Sequence, residues 1–562
     1  MTRFRLALVS LAGLMLAAIA LAESSLPPAV ELAEKVITPE LLRAHTAFLA
    51  DDLLEGRGPA TRGGELAAKY IAAQFAGLGL KPISQDGSYF QNVPLLGRKI
   101  GPPADLSVSN GRQDLTFKFV DDFVPGSDSE EEQVRVAGDL VFVGYGIVAP
   151  EFQWDDFKGA DLKGKILLML VNDPPATRDE PALFGGKALT YYGRWTYKYE
   201  SAARQGAAGA ILIHTTPSAG YPFKVVQSTW SGERFSLPRK AGGDPLLGLK
   251  AWISREAAEK ILALAGQNLP ALEAAAAERR FRPLPLGVKV STEFKQRLRQ
   301  IQTANVIGWL PGSDPQLREQ YVVYTAHYDH LGVGKEAEGD AIYNGAADNA
   351  VGVAALLGLA EAFARQPEPP ARSVVFIGIA AEEYGLLGSE YYAKNPVFPP
   401  ARTAANVNID GVNTIGPTRD ITLIGFGKSD LDELVKQVAG EHGLETRPDN
   451  FPEQGFFYRS DQFNFAKVGI PAVYLDNGLD VIGRPEGWGK QKADEYTARD
   501  YHQPSDQIKP DWDWRGAQQQ TVLLFDIGWR VATRPALPEW YPAAEFRPAR
   551  QESLRPAGEP RH

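Results

Sequence analysis

The spacing of hydrophobic residues changes twice along the chain, and the changes divide it into regions. Between residues 38 and 81, Leu41, Leu42, Ala44, His45, Phe48 and Leu49 recur at near-helical spacing, with Thr38 placed to cap the helix and Pro39 at its first position. A Gly56-Arg57-Gly58 turn follows, then a second amphipathic run from Gly64 to Leu78 that Gly79 stops. From about residue 100 to 295 the apolar runs are short and β-rich, such as Leu140 to Val143 and Ile166 to Leu170, with glycine turns between them. An alanine-rich helix from Tyr199 to Gly209 leads there into a strand from Ala210 to Ile213. From about residue 300, strands and helices alternate. Strands are expected at Tyr321 to Thr325, Ser373 to Ala380, Ala405 to Ile409, Ile421 to Ile424 and Ala472 to Leu475. Helices are expected at Asn349 to Ala364, Tyr384 to Ala393, Leu431 to Glu441 and Gly516 to Ala532. Such alternation predicts an α/β fold whose mixed, mainly parallel sheet is covered on both faces. Functional residues are then expected at the carboxyl ends of the strands.

Composition narrows the chemistry. The 562 residues are 44% hydrophobic and 23% charged, enough for an ordinary core and for two domains. The net charge is −10 and no segment is strongly basic, so no nucleic-acid partner is expected. Cysteine is absent, which removes disulfides, thiolate nucleophiles and thiolate metal sites. Any metal must be held by histidine and carboxylate. At the N-terminus, Arg3 and Arg5 precede an uncharged run from Leu6 to Ala22 that ends Ala20-Leu21-Ala22. This pattern predicts a signal peptide over residues 1–22, cleaved before Glu23, and a periplasmic or secreted protein. No other stretch reads as a membrane span, and no stable membrane partner is expected. The segment after Pro535 is rich in Pro, Arg and Glu and is expected to be disordered or loosely draped.

The predicted strand ends carry the candidate chemistry. His327 lies just past the first strand, and Asp329, two residues on, can accept its second ring N–H and fix the tautomer. Asp348 is set among small residues, Gly345-Ala346-Ala347 before it and Asn349-Ala350 after it, so it can approach two cations without obstruction. Glu382-Glu383 follow the apolar strand that ends at Ala380-Ala381; adjacent acids there are costly unless something positive compensates them. Asp410 follows the strand Asn406 to Ile409, and His502 lies in a turn-rich loop before the last helix. Each fragment alone reads as a cap, a solvated helix start or a surface loop. Together, two histidines and three carboxylates form a ligand set suited to zinc, with a carboxylate available as bridge. His45 and His214 read as structural, and His330 as a supporting or structural neighbour.

The segments Ala326 to Gly332, Gly345 to Asn349, Ala381 to Ser389, Asn408 to Asp410 and Tyr501 to Asp506 resemble, in order and spacing, the five metal motifs of the bacterial two-zinc aminopeptidase family, which includes glutamate carboxypeptidases. The resemblance implies a three-layer α/β/α zinc-peptidase (phosphorylase/hydrolase-like) fold and two Zn(2+) ions. It implies that His327, Asp348 and Asp410 hold one ion, and Asp348, Glu383 and His502 the other, with Asp348 bridging. It also implies Glu382 as general base and later acid, Asp329 as the residue orienting His327, and a cis peptide after Asp348. Tyr458, in the pocket loop Tyr458-Arg459-Ser460-Asp461, is a candidate donor to the oxyanion; the histidine that often follows this Ser-Asp pair is here Gln462. Gly138 to Gly146, Asp161 to Ile166 and Ala203 to Ala210 resemble a β-rich protease-associated domain inserted in the peptidase domain. The expected layout is signal peptide 1–22, first part of the peptidase domain 23–135, insert 136–295, main part 296–535 and tail 536–562. The implied activity is release of N-terminal residues from peptides with a free N-terminus. The alternatives on the same fold are a carboxypeptidase or dipeptidase, for which Arg459 is a candidate carboxylate grip, a glutaminyl cyclase, and a catalytically silent binding protein. The cyclase family lacks the first histidine ligand, which this chain has in His327.

Overall fold

The computed structural model describes residues 26–102, 105–238, 245–334 and 339–555. The expected signal peptide lies outside these residues. The central strands of the catalytic half, Ser373–Ile379, Tyr321–His327, Thr403–Asn408 and Ala472–Asp476, are mutually parallel. Antiparallel pairing at Asp420–Ile424 on one side and at Leu284–Leu310 on the other makes the sheet mixed. Strands buried on both faces read as continuous apolar runs, and Ser373–Ile379 is buried at every position. Alternate residues serve different layers. Val322, Tyr324, Val374 and Phe376 face a core built with helices Pro39–Leu49, Arg62–Gly77, Val351–Ala364 and Trp514–Thr533. Val323, Val375, Ile377 and Ile379 pack instead with Tyr392 and Phe465, from helices Leu387–Lys394 and Gln462–Lys467. The result is the expected three layers.

The N-terminal helices form where the pattern indicates. Thr38 accepts the Leu41 N–H at 3.2 Å, satisfying one of the free donors of the first turn. Arg57, in the turn between them, is fully buried and has φ 50°. Its guanidinium donates to Leu49 O and Asn344 O at 2.5 Å, Tyr328 O at 2.7 Å and Gly345 O at 2.9 Å. One side chain thereby pins two catalytic-half loops to the N-terminal helix.

A second core draws on residues from Leu106 to Phe294. Here the strands Gln133–Phe142, Ile166–Leu170, Gly209–Ile213 and Leu249–Ile253 are parallel to one another in that order. The strand Leu284–Leu310 joins the two halves. It pairs with Gln133–Phe142, then with Phe90–Gly101, and last with Ser373–Ile379. The boundaries expected at 135/136 and 295/296 both fall inside strands.

Two expectations are corrected. The tail is not loosely draped through residue 555: Trp540 and Phe546 are buried, Trp540 Nε1 donates to Gly469 O at 2.9 Å, and Arg547–Leu554 is helical. Its aromatic residues outweigh its polar composition. Ala346–Ala364 is long and apolar enough to cross a membrane, but 83% of it is buried in the protein, as for a central core helix.

Helix Trp514–Thr533 lies close over the sheet at Gly528, where a Cβ would come 1.6 Å from the hydroxyl of buried Tyr324. Gly528→Ala is therefore expected to destabilise the fold by about 1–3 kcal/mol through overpacking. Calorimetry should show a lower melting temperature, and a value at or above the parent's would refute this packing.

Candidate metal centre

The carboxyl edge of the parallel strands gathers the expected residues. Tyr321–His327 ends on His327, Thr403–Asn408 stops two residues before Asp410, and Ser373–Ile379 runs on to Glu382 and Glu383. The irregular turn Ala346–Ala350 presents Asp348, and the Asp348–Asn349 peptide is cis. The loop after helix Trp488–Arg499 supplies His502. Ala381 and His502 both have φ 56°, a left-handed conformation uncommon outside glycine, at the points where the chain turns its functional groups inward. Gly345 has φ 55°, and a Cβ there would lie 2.2 Å from Asp348 O and 2.6 Å from the His330 ring. Only glycine lets these loops meet.

Asp348 is the midpoint of the cluster. Its Oδ1 lies 3.2 Å from His327 Nε2, and that nitrogen is also 3.2 Å from Asp410 Oδ1. Its Oδ2 lies 3.2 Å from His502 Nε2, which is 2.9 Å from Glu383 Oε2. Two His–carboxylate groups thus share one aspartate. Ligand atoms of His327, Asp348 and Glu383 all fall within 4.8 Å of one another. The Asp348 and Asp410 side chains keep 13% and 22% of their exposure, so the cluster opens to a cleft.

Electrostatics favour a cation here. Buried Glu382, Asp329 and Asp461 add three carboxyl groups to those of Asp348, Glu383 and Asp410. Burial, then Asp410, Glu383 and Asp461, push the Glu382 carboxyl well above its usual range, although His327 opposes this. Burial lifts Asp329 and Asp461 to about 7. Burial would also raise Glu383, but His502 and His330 hold it down to about 2. Burial would lower His327 and His502; the surrounding carboxylates outweigh it and raise both well above 6.5. Both oxygens of Asp461, one of Asp329, and His502 Nδ1 are buried without a hydrogen-bond partner. Clustered buried carboxylates with adjacent imidazoles are a donor set that fits zinc.

Surrounding residues fix the geometry. Asp506 accepts the N–H groups of Ala347 and Asp348, both at 3.0 Å. The Asn349 side chain donates to Ile409 O at 2.9 Å and accepts the Gly411 N–H at 2.8 Å, joining the Asp348 turn to the Asp410 loop. His330 Nδ1 meets Glu383 Oε1 at 2.5 Å, so it sits behind one of the expected ligands. Asp329 departs in detail from expectation. His327 Nδ1 faces its backbone carbonyl at 3.2 Å, while the Asp329 carboxylate, 3.9 Å away, accepts the Glu382 N–H at 3.0 Å.

Tyr458 is a correction. Its hydroxyl donates to Glu545 at 2.5 Å, and its ring packs with Phe457 and Phe463 in an aromatic cluster, so it is not aimed at the acidic pocket. Gln462 turns inward, accepting from Asn408 Nδ2 at 2.7 Å and donating to Phe457 O at 2.8 Å; it ties the pocket loop to the sheet. His45 contacts Tyr70 at 2.7 Å, and His214 is buried among Tyr221, Phe223 and Trp252. Arg57, Asn349, Asp461 and Asp506 are the residues that sequence reasoning left unassigned. The last three lie within motifs whose pattern draws attention to them, whereas Arg57 looks like an ordinary surface turn.

Histidines and carboxylates converging at the carboxyl edge of a mainly parallel sheet define a metal-dependent hydrolase type of centre. Comparison with known proteins agrees: residues 305–525, which contain every one of the expected ligands, match the model of Peptidase family M28. The chain is 29% identical over 210 residues to leupeptin-inactivating enzyme 1 of Streptomyces exfoliatus, a match covering 36% of this chain and 43% of that protein. It is 34% identical over 113 residues to a probable zinc metalloprotease of Pyrenophora teres f. teres, covering 20% of this chain and 23% of that protein. The chain therefore spans less than half the length of these curated relatives. An aminopeptidase from Aneurinibacillus sp. strain AM-1 shares the fold over 90% of this chain and 97% of its own, with 18% identity and a TM-score of 0.52.

Asp506→Asn turns an amine group toward one of the two N–H donors that the carboxylate accepts. Zinc affinity is expected to fall roughly 10–100-fold, the usual cost of disturbing groups that orient ligands. Competition against a chelator measures it, and an unchanged affinity would contradict this role.

Proposed function

We infer that the chain is an exported, zinc-dependent aminopeptidase that hydrolyses N-terminal residues from peptides. The observation that carries this reading is the sharing of Asp348 between two His–carboxylate groups: His327 with Asp410 on one side, and His502 with Glu383 on the other. That arrangement suits two cations bridged by one carboxylate. The M28 match over residues 305–525 supports a peptidase with zinc as its metal. Export rests on the N-terminal charge and hydropathy pattern, and the protease-associated character of the second unit rests on its sequence resemblance.

Zinc bound there supplies a nucleophilic water at neutral pH and polarises the scissile carbonyl. The chain's own residues do the rest. Glu382 is buried beside the cluster and belongs to neither His–carboxylate group. It is free to take the proton of the attacking water and pass it to the leaving amine. The Asp329 carboxylate, by accepting the Glu382 N–H, holds the backbone from which this side chain projects. Asp506 and Arg57 keep the Asp348 turn in register with the strand ends.

Glu382→Gln should bind zinc as the parent does while losing about 10²–10⁴-fold in kcat, the range general acid–base groups contribute. Near-parental kcat in that variant would refute the assignment. Aminoacyl-p-nitroanilides assayed beside their N-acetylated forms test the wider reading. Only the free-amine substrates should be cleaved, with activity lost on chelation and regained with zinc. Preferential cleavage of the blocked forms would instead favour a carboxypeptidase or another amidase.

A further inference from the structure

Four parallel strands share the edge at which the metal centre lies, and three of them lead to its residues: His327, Asp410 and the Glu382-Glu383 pair. The fourth, Ala472–Asp476, lies beside Thr403–Asn408 and ends on a carboxylate. Its first four positions are buried, and Asp476 alone is partly exposed. Strand residues two apart face the same side. Tyr474 therefore marks the direction of Asp476: its hydroxyl donates to Asp410 O at 3.3 Å, and its ring packs with Phe463 and Ala466 of helix Gln462–Lys467. Asp476 stands two residues further along the strand, roughly 7 Å nearer the carboxyl edge. It is thus on the wall of the cleft, beyond Asp410.

Asp476 has no cation beside it. Its Oδ1 accepts the Asn477 N–H at 2.7 Å, and its Oδ2 makes no hydrogen bond or ion pair with any of the described residues. The charged groups that act on it are Asp449 and Asp410, both negative. Asp449 is brought close by the residue after it. Asn450 Nδ2 donates to Thr422 Oγ1 at 2.7 Å, and that hydroxyl donates to Asn477 O at 3.0 Å. Thr422 is the cross-strand partner of Asp476. Arg459 also comes near Tyr474, but its guanidinium lies over Tyr221 and Phe456 and donates to Tyr501 Oη at 3.2 Å. Burial, then Asp449 and Asp410, raise the Asp476 carboxyl to about 6, so it is ionised at neutral pH. A carboxylate with two acids for neighbours is unfavourable until a cation joins it. A purely structural acid finds that cation in the protein, as buried Asp526 does with His442 and Arg530. Nor does Asp476 belong to the residues whose ligand atoms converge for a metal ion, which are His327, Asp348 and Glu383. The missing cation is one that a ligand carries on a side chain of its own.

We propose that Asp476 reads the side chain of the substrate's first residue and selects peptides that begin with arginine or lysine. The inference rests on the aminopeptidase reading above and names its substrate class. In that reading the carbonyl of the first residue lies at the metal centre, and its side chain runs from Asp410 along the wall that Tyr474 and Asp476 form. A long side chain with a terminal cation crosses this span and makes a charge-assisted hydrogen bond to the free oxygen of Asp476. A neutral side chain of the same length reaches the carboxylate without relieving its charge. Asp449 adds a second negative charge beside the pair.

The test uses the zinc-loaded full chain and a matched pair of substrates, arginyl- and citrullinyl-p-nitroanilide, which differ in charge but hardly in length. In the parent, kcat/KM should favour arginine roughly tenfold or more, the factor a single charge-assisted hydrogen bond supplies. In Asp476→Asn that ratio should fall toward one, through KM rather than kcat. Because the ratio is taken within each protein, a partial loss of fold cannot imitate it. In Asp476→Arg the preference should reverse in sign, with glutamyl- favoured over glutaminyl-p-nitroanilide. Equal rates on the matched pair in the parent, an undiminished ratio in Asp476→Asn, or a retained preference for arginine in Asp476→Arg would overturn the proposal. A second measurement is independent of hydrolysis. Calorimetric titration should show L-arginine binding the parent roughly tenfold more tightly than L-citrulline, with the difference lost in Asp476→Asn. Equal affinities in the parent, or an unchanged difference in the variant, would also overturn it. Preferential binding of arginine without cleavage of any p-nitroanilide would count against the aminopeptidase reading and leave the role of Asp476 standing.

Discussion

Six carboxyl groups, those of Asp329, Asp348, Glu382, Glu383, Asp410 and Asp461, converge at one edge of the catalytic sheet, most of them buried. Removing so much like charge from water costs several kcal/mol per ion unless positive charge is held among them. The three nearby histidines meet only part of this demand: each pairs with a carboxylate, and none of them pairs with the buried Asp461 carboxylate. Much of the architecture follows from that constraint. Parallel strands deliver the groups to a common edge, and left-handed backbone at Ala381 and His502 turns them toward a common point. Buried Arg57, still charged with its guanidinium lowered to about 10 by burial, adds positive charge behind the loops it pins. Under the two-zinc proposal, the remaining charge is met by cations that Asp348 bridges.

Rigidity comes from outside the cluster. The strand Leu284–Leu310 is shared by both halves of the molecule, so the second unit's sheet is continuous in hydrogen bonding with the sheet that carries His327. The packed tail has a related role: Glu545 receives both the Tyr458 hydroxyl and Lys428 Nζ, fixing the loop that leads to Arg459 and Asp461.

Much of this was legible in the sequence because it follows from short-range pattern. Strands buried on both faces are apolar runs, and the acids and histidines just beyond them stand out by contrast. The rest depends on partners distant in the chain. Leu284–Leu310 alternates apolar residues with Lys, Glu and Arg and then exposes a polar stretch, so it reads as a boundary although it is one strand. Helix Trp488–Arg499 buries only Gly489 and has no apolar stripe to reveal it; ion pairs such as Lys490–Asp494 run along its surface instead. Arg57 sits in a glycine turn, and nothing local shows that its four acceptors come from three separate segments. Tyr458 lies in the right motif, but its hydroxyl is claimed by Glu545 from a tail whose composition suggests disorder.

Anomalous diffraction at the zinc edge, from crystals of the full chain grown with zinc, would show whether Asp348 bridges two ions. Two peaks are expected flanking Asp348, one beside His327 and Asp410 and the other beside Glu383 and His502, at the roughly 3.5–4 Å separation of paired metal centres. No peak at Asp348, or a single ion that leaves either histidine uncoordinated, would contradict it.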